Sequence, residues 1–136
     1  MSEFKKIGSV FTVDGVGLYV GRVVAGEDAI YLLASVTPMN LKWILSGEVQ
    51  PLTGEDRPFQ VPLSELPDGV VAERAHDRKN DEGFACVFDR KSIVEMRCTI
   101  SGKLHLFDAD HTAVIFSGAI KRFAMLKTLR RLGWPV

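Results

Sequence analysis

Four side chains of metal-ligand type stand close together late in the chain: His105, Asp108, Asp110 and His111. Imidazole nitrogens and carboxylate oxygens of this kind suit a divalent cation. The spacing puts Asp108, Asp110 and His111 on one tight turn and leaves His105 back along the preceding strand. The group therefore reads as a polar hairpin tip, with a metal site as the alternative. His76, Asp77, Arg78 and Lys79 form a second polar run inside His76–Gly83, a stretch without an apolar side chain that fits a solvated loop. Cys86 and Cys98 both sit in apolar alternating runs, without the close pairing that zinc or redox motifs need, and read as reduced core thiols. No serine has a Gly-x-Ser-x-Gly setting, and no nucleophile with a base and an orienting group emerges. The residues point away from an enzyme and imply no cofactor.

Binding residues are easier to name. Lys121, Arg122, Lys127, Arg130 and Arg131 all fall in the last twenty residues, Ser117–Val136, with no acid among them. The 116 residues before them carry 12 basic against 17 acidic side chains, so a body of −5 is joined to a tail of +5 in a chain of zero net charge. Such asymmetry is information about contacts rather than about chemistry. The tail predicts an amphipathic helix over residues 117–133, capped by Ser117 and stopped by Gly133 and Pro135. At about 100° per residue, Met125, Leu126, Leu129 and Leu132 share one stripe, which should dock on the body. Lys127, Arg130 and Arg131 gather opposite, joined by Ile120 and Phe123. We take Phe123, Lys127, Arg130, Arg131 and Lys121 as candidate partner-binding residues, with a second packing contact as the other role for Phe123.

Tyr19 is a candidate stacking residue. Asp14-Gly15 between Ile7–Val13 and Val16–Val24 predicts a hairpin with a two-residue turn, pairing Val13 with Val16, Phe11 with Leu18 and Ser9 with Val20. Phe11 and Val13 then face inward, while Tyr19 stands with Gly8, Val10, Gly17, Gly21 and Val23 on a glycine-rich outer face that the terminal helix could approach. Gly15, Gly17 and Gly21 are spaced like a phosphate-cradling loop, but the residues after them are strand-like and offer no helix N-terminus.

The elements that hold these residues are mostly strands. Ala29–Val36 is a nearly continuous apolar run, as in a strand buried on both faces. Met39–Leu45 alternates with Trp43 inward, Ser46–Pro58 is a loop, Phe59–Leu63 is a short edge strand, and Val70–Ala75 is another strand after the turn at Leu66–Gly69. In the second half, Phe84, Cys86 and Phe88 alternate with Ala85 and Val87, and Val94, Met96, Cys98 and Ile100 alternate with Glu95, Arg97 and Thr99. A three-residue loop, Ser101–Lys103, with Gly102 at positive φ, would pair Ile100 with Leu104 and Cys98 with Leu106, leaving His105 beside Thr99. Thr112–Phe116 closes the strand set.

With 136 residues, 46% apolar, this is one domain: an α+β, β-dominated fold in which an antiparallel curled sheet or small, partly open barrel (residues 1–116) carries one C-terminal basic helix (117–133). The longest uncharged stretch, Ala29–Leu41, is broken by Pro38 and is too short for a membrane span, so the expectation is a cytoplasmic protein with no membrane partner. The leading function is a non-catalytic binding protein acting through a protein surface, by self-association or as an inhibitor-like partner of a larger complex. The alternatives are a nucleic-acid-binding module using the basic helix, or a small-ligand protein or small enzyme with a histidine-containing site. Zero net charge and the acidic body weigh against nucleic acid.

Overall fold

A computed structural model describes residues 3–14, 16–34, 60–61, 66–70 and 84–136. Its strands are β1 (Lys5–Val13), β2 (Val16–Ala25), β3 (Ala29–Ala34), β4 (Gln60–Val61), β5 (Phe84–Asp89), β6 (Ile93–Cys98), β7 (Lys103–Asp108) and β8 (Thr112–Phe116), followed by a helix, α1 (Arg122–Arg131). All pairings are antiparallel, in the order β4-β5-β3-β2-β1-β8-β7-β6. Among the described residues β4 and β6 are the two ends of the sheet, which is not closed into a barrel. Because β1 bonds β2 on one edge and β8 on the other, it joins two meanders. The fold is α+β and β-dominated.

Apolar residues from both meanders meet on a single helix. Phe11, Ile30, Phe88, Leu104 and Ile115 have no solvent exposure and form one cluster with Met125, Leu129, Leu132 and Trp134. Met96 and Cys98 of the end strand β6 pack on the same cluster, so the sheet curls around α1. A second cluster, Val24, Leu33, Leu66, Val70 and Ala85, lies apart from the first, and Phe4 packs on it. Leu32 belongs to the first cluster and Leu33 to the second, as the unbroken apolar run of β3 predicts for a strand covered on both faces.

Curling changes register. Asp14 has φ 54° and Val13 pairs with Val16, as a two-residue turn requires. Beyond the turn, irregularities set Phe11 against Tyr19, not Leu18, and Gly8 against Val23. A slip of one residue reverses the face on which a side chain falls. Val23, expected outside, is fully buried in the core. Bulges of this kind increase local twist, which a sheet wrapped on a helix needs. The neighbour that requires Gly8 is Ile115 of β8, since a Cβ there would stand 2.8 Å from its Cγ2.

The β6–β7 hairpin differs from expectation by one loop position. Thr99 N–H donates to the Lys103 carbonyl, and Cys98 pairs with Leu104, so the three loop residues are Ile100–Gly102. His105 accordingly meets Arg97 rather than Thr99. The inward parity of Cys98 and Leu104 survives, but Ile100 leaves the strand. Gly102 fixes this choice: its φ is +87°, and a methyl group on it would overlap the Gly118 carbonyl. A further irregularity between Ile93 and Glu95 turns Val94 outward, contrary to its expected inward position. Val70, expected to open a strand, lies in a helical turn that includes residues 68–70 and is buried in the second cluster. The expected strand Met39–Leu45 with Trp43, the loop 46–58, the rest of Val70–Ala75 and the run His76–Gly83 lie outside the described residues.

The helix starts later than its sequence suggests. Ser117 does not cap it; the hydroxyl donates to the Gly102 carbonyl at 2.8 Å, and Gly118 at φ +81° redirects the chain. Lys121 is the N-cap position and supplies no side-chain bond. The C-terminus follows expectation, with Gly133 at φ +89°, Trp134 N–H on the Leu129 carbonyl and Gly133 N–H on the Arg130 carbonyl, a Schellman arrangement. Trp134 is buried and its Nε1–H donates to the Gly26 carbonyl at 2.8 Å. The Arg90 guanidinium lies 5.3 Å from the Trp134 ring centre and donates to the Glu27 carbonyl at 3.1 Å and to the Gly133 carbonyl. The helix end is thus fastened to the β2–β3 turn.

Urea unfolding checks this assignment of the core. Leu129→Ala should cost about 2–5 kcal/mol through the cavity it leaves, and Gly133→Ala about 1–2 kcal/mol through left-handed strain. Wild-type stability in either variant would remove α1 from the core.

Candidate functional site

Three large apolar side chains are exposed where the β6–β7 loop meets the start of α1: Ile100 at 89%, Ile120 at 96% and Phe123 at 73%. Their proximity follows from the backbone. Ser117 N–H and hydroxyl both donate to the Gly102 carbonyl, and Arg122 Nε donates to the Thr99 carbonyl at 2.9 Å. The 99–102 loop and the 117–123 segment are therefore stitched together, with Ile100 on one and Ile120 and Phe123 on the other. The Arg122 guanidinium also stands 5.5 Å from the Phe123 ring centre, covering part of its face.

The electrostatics of this end are unfavourable as they stand. A helix N-terminus carries free N–H groups and the positive end of the backbone dipole, and it prefers acids nearby. Here there is no acid in the first turn and no side-chain cap, while Lys121 and Arg122 sit at the start. Lys127, exposed one turn beyond Phe123, extends the same helix face. Lys121 and Lys127 make no ion pair among the described residues. A cleft of about 410 Å³ beside Lys121, between β1 and α1, is lined by Lys6, Ser9 and Thr128 and also by Ile7, Ala124 and Met125.

The other two candidate cations are engaged at the far end of the helix. Arg131 pairs with Glu3 at 2.9 Å and Arg130 Nε donates to the Val136 carbonyl at 2.8 Å. Both also suit the negative end of the dipole. Phe123, Lys121 and Lys127 thus stand toward one end of the helix, while Arg130 and Arg131, both exposed, are bonded within this chain at the other. Tyr19 pairs with Phe11 through its backbone, and its side chain lies outside the described residues.

The hairpin tip is brought together only in part. Asp108 Oδ1 accepts the N–H groups of Asp110 at 2.8 Å and His111 at 2.6 Å, which closes the β7–β8 turn. His111 Nδ1 lies 3.1 Å from Asp14 Oδ2, and Asp14 Oδ1 accepts the Thr112 N–H at 2.9 Å. The Asp14 carboxylate thereby ties the β1–β2 turn to the β7–β8 turn. His105 is stacked on Phe107 instead, with ring centres 6.2 Å apart. Among the described residues no three His, Cys, Asp or Glu side chains are placed to hold a metal ion. The Cys86 thiol is buried and the Cys98 thiol partly so. No helix among the described residues is long and apolar enough to cross a membrane. No protein-family model, curated protein or solved structure matches the chain.

Strand alternation places Ile100 in the core and so hides it as part of this surface. The available signal is Gly102, which fits the left-handed final position of a three-residue loop better than its middle.

His105 provides a pH test of the local geometry. Burial, then the cations of Arg97 and Lys103, holds its imidazole below the ordinary histidine value. Below that ordinary value the unfolded chain binds more protons than the folded one, so stability is lost as pH falls through it towards the folded value. NMR should give a titration midpoint below the usual imidazole range, rising in Arg97→Gln. A midpoint at or above that range would contradict the placement of His105 beside Arg97.

Proposed function

We propose that this chain is a non-catalytic binding protein whose contact surface is the N-terminal end of α1 together with the β6–β7 loop. The observation that carries the reading is the exposure of Phe123, Ile120 and Ile100 on two segments that hydrogen bonds hold against each other. Exposed apolar side chains scattered singly are ordinary, whereas a cluster fixed on a rigid framework has the character of an interface centre. Aromatic and Arg side chains dominate such centres, and Phe123 with Arg122 over its ring supplies both.

The chemistry of the partner is set by the uncapped helix start. Lys121, Arg122 and Lys127 with free N–H groups favour a protein segment that brings a carboxylate to the helix end and an apolar side chain to Phe123. An acidic partner also removes the unfavourable placement of cations at that end. Binding then orders little of this chain, because the loop and helix are already joined, and the entropic cost on this side is small. An inhibitor-like or subunit role in a larger complex fits such a preorganised surface.

The test uses the full chain as bait in extract from its own host, compared with Phe123→Ala and with Lys121→Glu/Lys127→Glu. A specific protein recovered by the wild type should be lost from both variants, whose melting temperatures stay near wild type because the replaced side chains are exposed. Equal recovery by all three would exclude this surface. Mobility shifts with DNA and RNA separate the nucleic-acid alternative: retention that falls steeply with salt and is abolished by Lys121→Glu/Lys127→Glu would favour phosphate contacts.

A further inference from the structure

The outer edge of β6 has no strand against it among the described residues, since β6 ends the sheet order and pairs only with β7. Which backbone groups it offers can be worked out from the β7 side. Thr99 N–H donates to the Lys103 carbonyl, and Arg97 opposite His105 and Glu95 opposite Phe107 come at two-residue steps. In an antiparallel ladder hydrogen-bonded pairs alternate with non-bonded ones, so Thr99, Arg97 and Glu95 direct their N–H and C=O groups to β7. Met96 and Cys98 direct theirs outward. An open strand edge of this kind is a template for another strand unless something blunts it.

The side chains of β6 select the strand that fits. Met96 and Cys98 lean into the core, while Glu95 and Arg97 are exposed on the other face, two residues apart and opposite in charge. Neither makes an ion pair among the described residues; Arg97 lies over the Phe107 ring at 5.7 Å. Consider a second copy of β6 lying antiparallel on this edge. A two-fold axis through the Met96 pair sets Glu95 against Arg97 of the other copy, and Arg97 against its Glu95. An axis through Glu95 would oppose two carboxylates, and one through Arg97 two guanidinium groups. Charges therefore choose the Met96 register. In that register Met96 faces Met96 as a hydrogen-bonded pair, consistent with its outward backbone groups. Val94, apolar and exposed at 71%, falls opposite Cys98 of the second copy in that register. Like charges directly opposed across the edge would repel a second copy, whereas the opposite charges that meet in the Met96 register attract one.

We propose that β6 is a self-pairing edge, and that two copies of this chain join through it in a two-fold antiparallel register centred on Met96. The same patch serves both copies, as a two-fold interface demands. The inference does not depend on the helix-end reading, and the substitutions that test it leave Phe123, Lys121 and Lys127 untouched.

Sedimentation equilibrium of the full chain across the micromolar range tests it. Wild type should self-associate to a dimer. Glu95→Arg sets guanidinium groups against each other across the axis, and Arg97→Glu sets carboxylates against each other, so each variant alone should dimerise at least about tenfold more weakly. An equimolar mixture of the two should recover association as a heterodimer, and the double exchange E95R/R97E should recover the homodimer. Circular dichroism and thermal melts establish that each variant is folded; both positions are exposed, so replacement there is expected to leave the monomer intact. A wild type that stays monomeric would overturn the proposal. Dimers equally stable in Glu95→Arg and Arg97→Glu, or a mixture with no preference for heterodimer, would overturn it too. Loss of the helix-end partner with the dimer intact, or the reverse, keeps the two readings separable.

Discussion

The contact of Met125, Leu129, Leu132 and Trp134 with the inner face of the sheet is the interaction on which the rest of the structure depends. An open antiparallel sheet of this size has two faces to cover, and a ten-residue helix is marginal on its own in water. Each resolves the other's deficit. The sheet curls until both meanders reach the helix, and the helix gains the packing that its length cannot supply. Trp134 completes the contact by continuing the stripe past the helix end, where its indole N–H finds the Gly26 carbonyl instead of remaining buried without a partner. Arg90 holds the ring from outside while bonding two carbonyls, so a cation from the β5–β6 turn secures a chain end.

This packing explains why the two ends of α1 differ. The C-terminal end is satisfied in every respect, with a left-handed glycine, paired carbonyls, and Arg130 and Arg131 suited to the dipole and given local acceptors. The N-terminal end has no cap, cations where acids would be better, and apolar side chains in water. Natural sequences are locally consistent except where another demand prevails, and the inconsistency at the start of α1 is what the proposed contact surface would account for. Glycine contributes here as well. Gly102 and Gly118 approach too closely for any side chain at Gly102, and their contact brings Ile100 to the helix start.

Much of the fold is legible in the sequence because most strands here have one buried face. Phe11 and Val13, Cys86 and Phe88, and Leu104 and Leu106 announce their faces by alternation, and β3 announces double burial by its unbroken apolar run. Gly133 and the leucine stripe give the helix and its docking side. What alternation cannot convey is a bulge, since an inserted residue leaves the sequence pattern looking regular while reversing the faces beyond it. Val23, Val94 and the Phe11–Leu18 pairing depart from expectation for that reason. Ser117 departs from it because a hydroxyl that caps a helix and one that bonds a neighbouring loop have the same local sequence; only the tertiary approach of Gly102 distinguishes them. The Arg90–Trp134–Gly26 clamp joins residues remote along the chain and leaves no local trace. The candidate site is half legible: Phe123, Lys121 and Lys127 emerge from the helical wheel, and Ile100 requires the true loop position.

Native-state hydrogen exchange measures most directly whether the helix and the curled sheet are one cooperative unit. Amides of Met125, Leu129 and Leu132 should exchange with the same opening free energy, and the same denaturant dependence, as those of Phe11, Leu104 and Ile115. Helix amides that open at markedly lower free energy while the strand amides stay protected would contradict the account, because the sheet would then hold its curl without the element said to impose it.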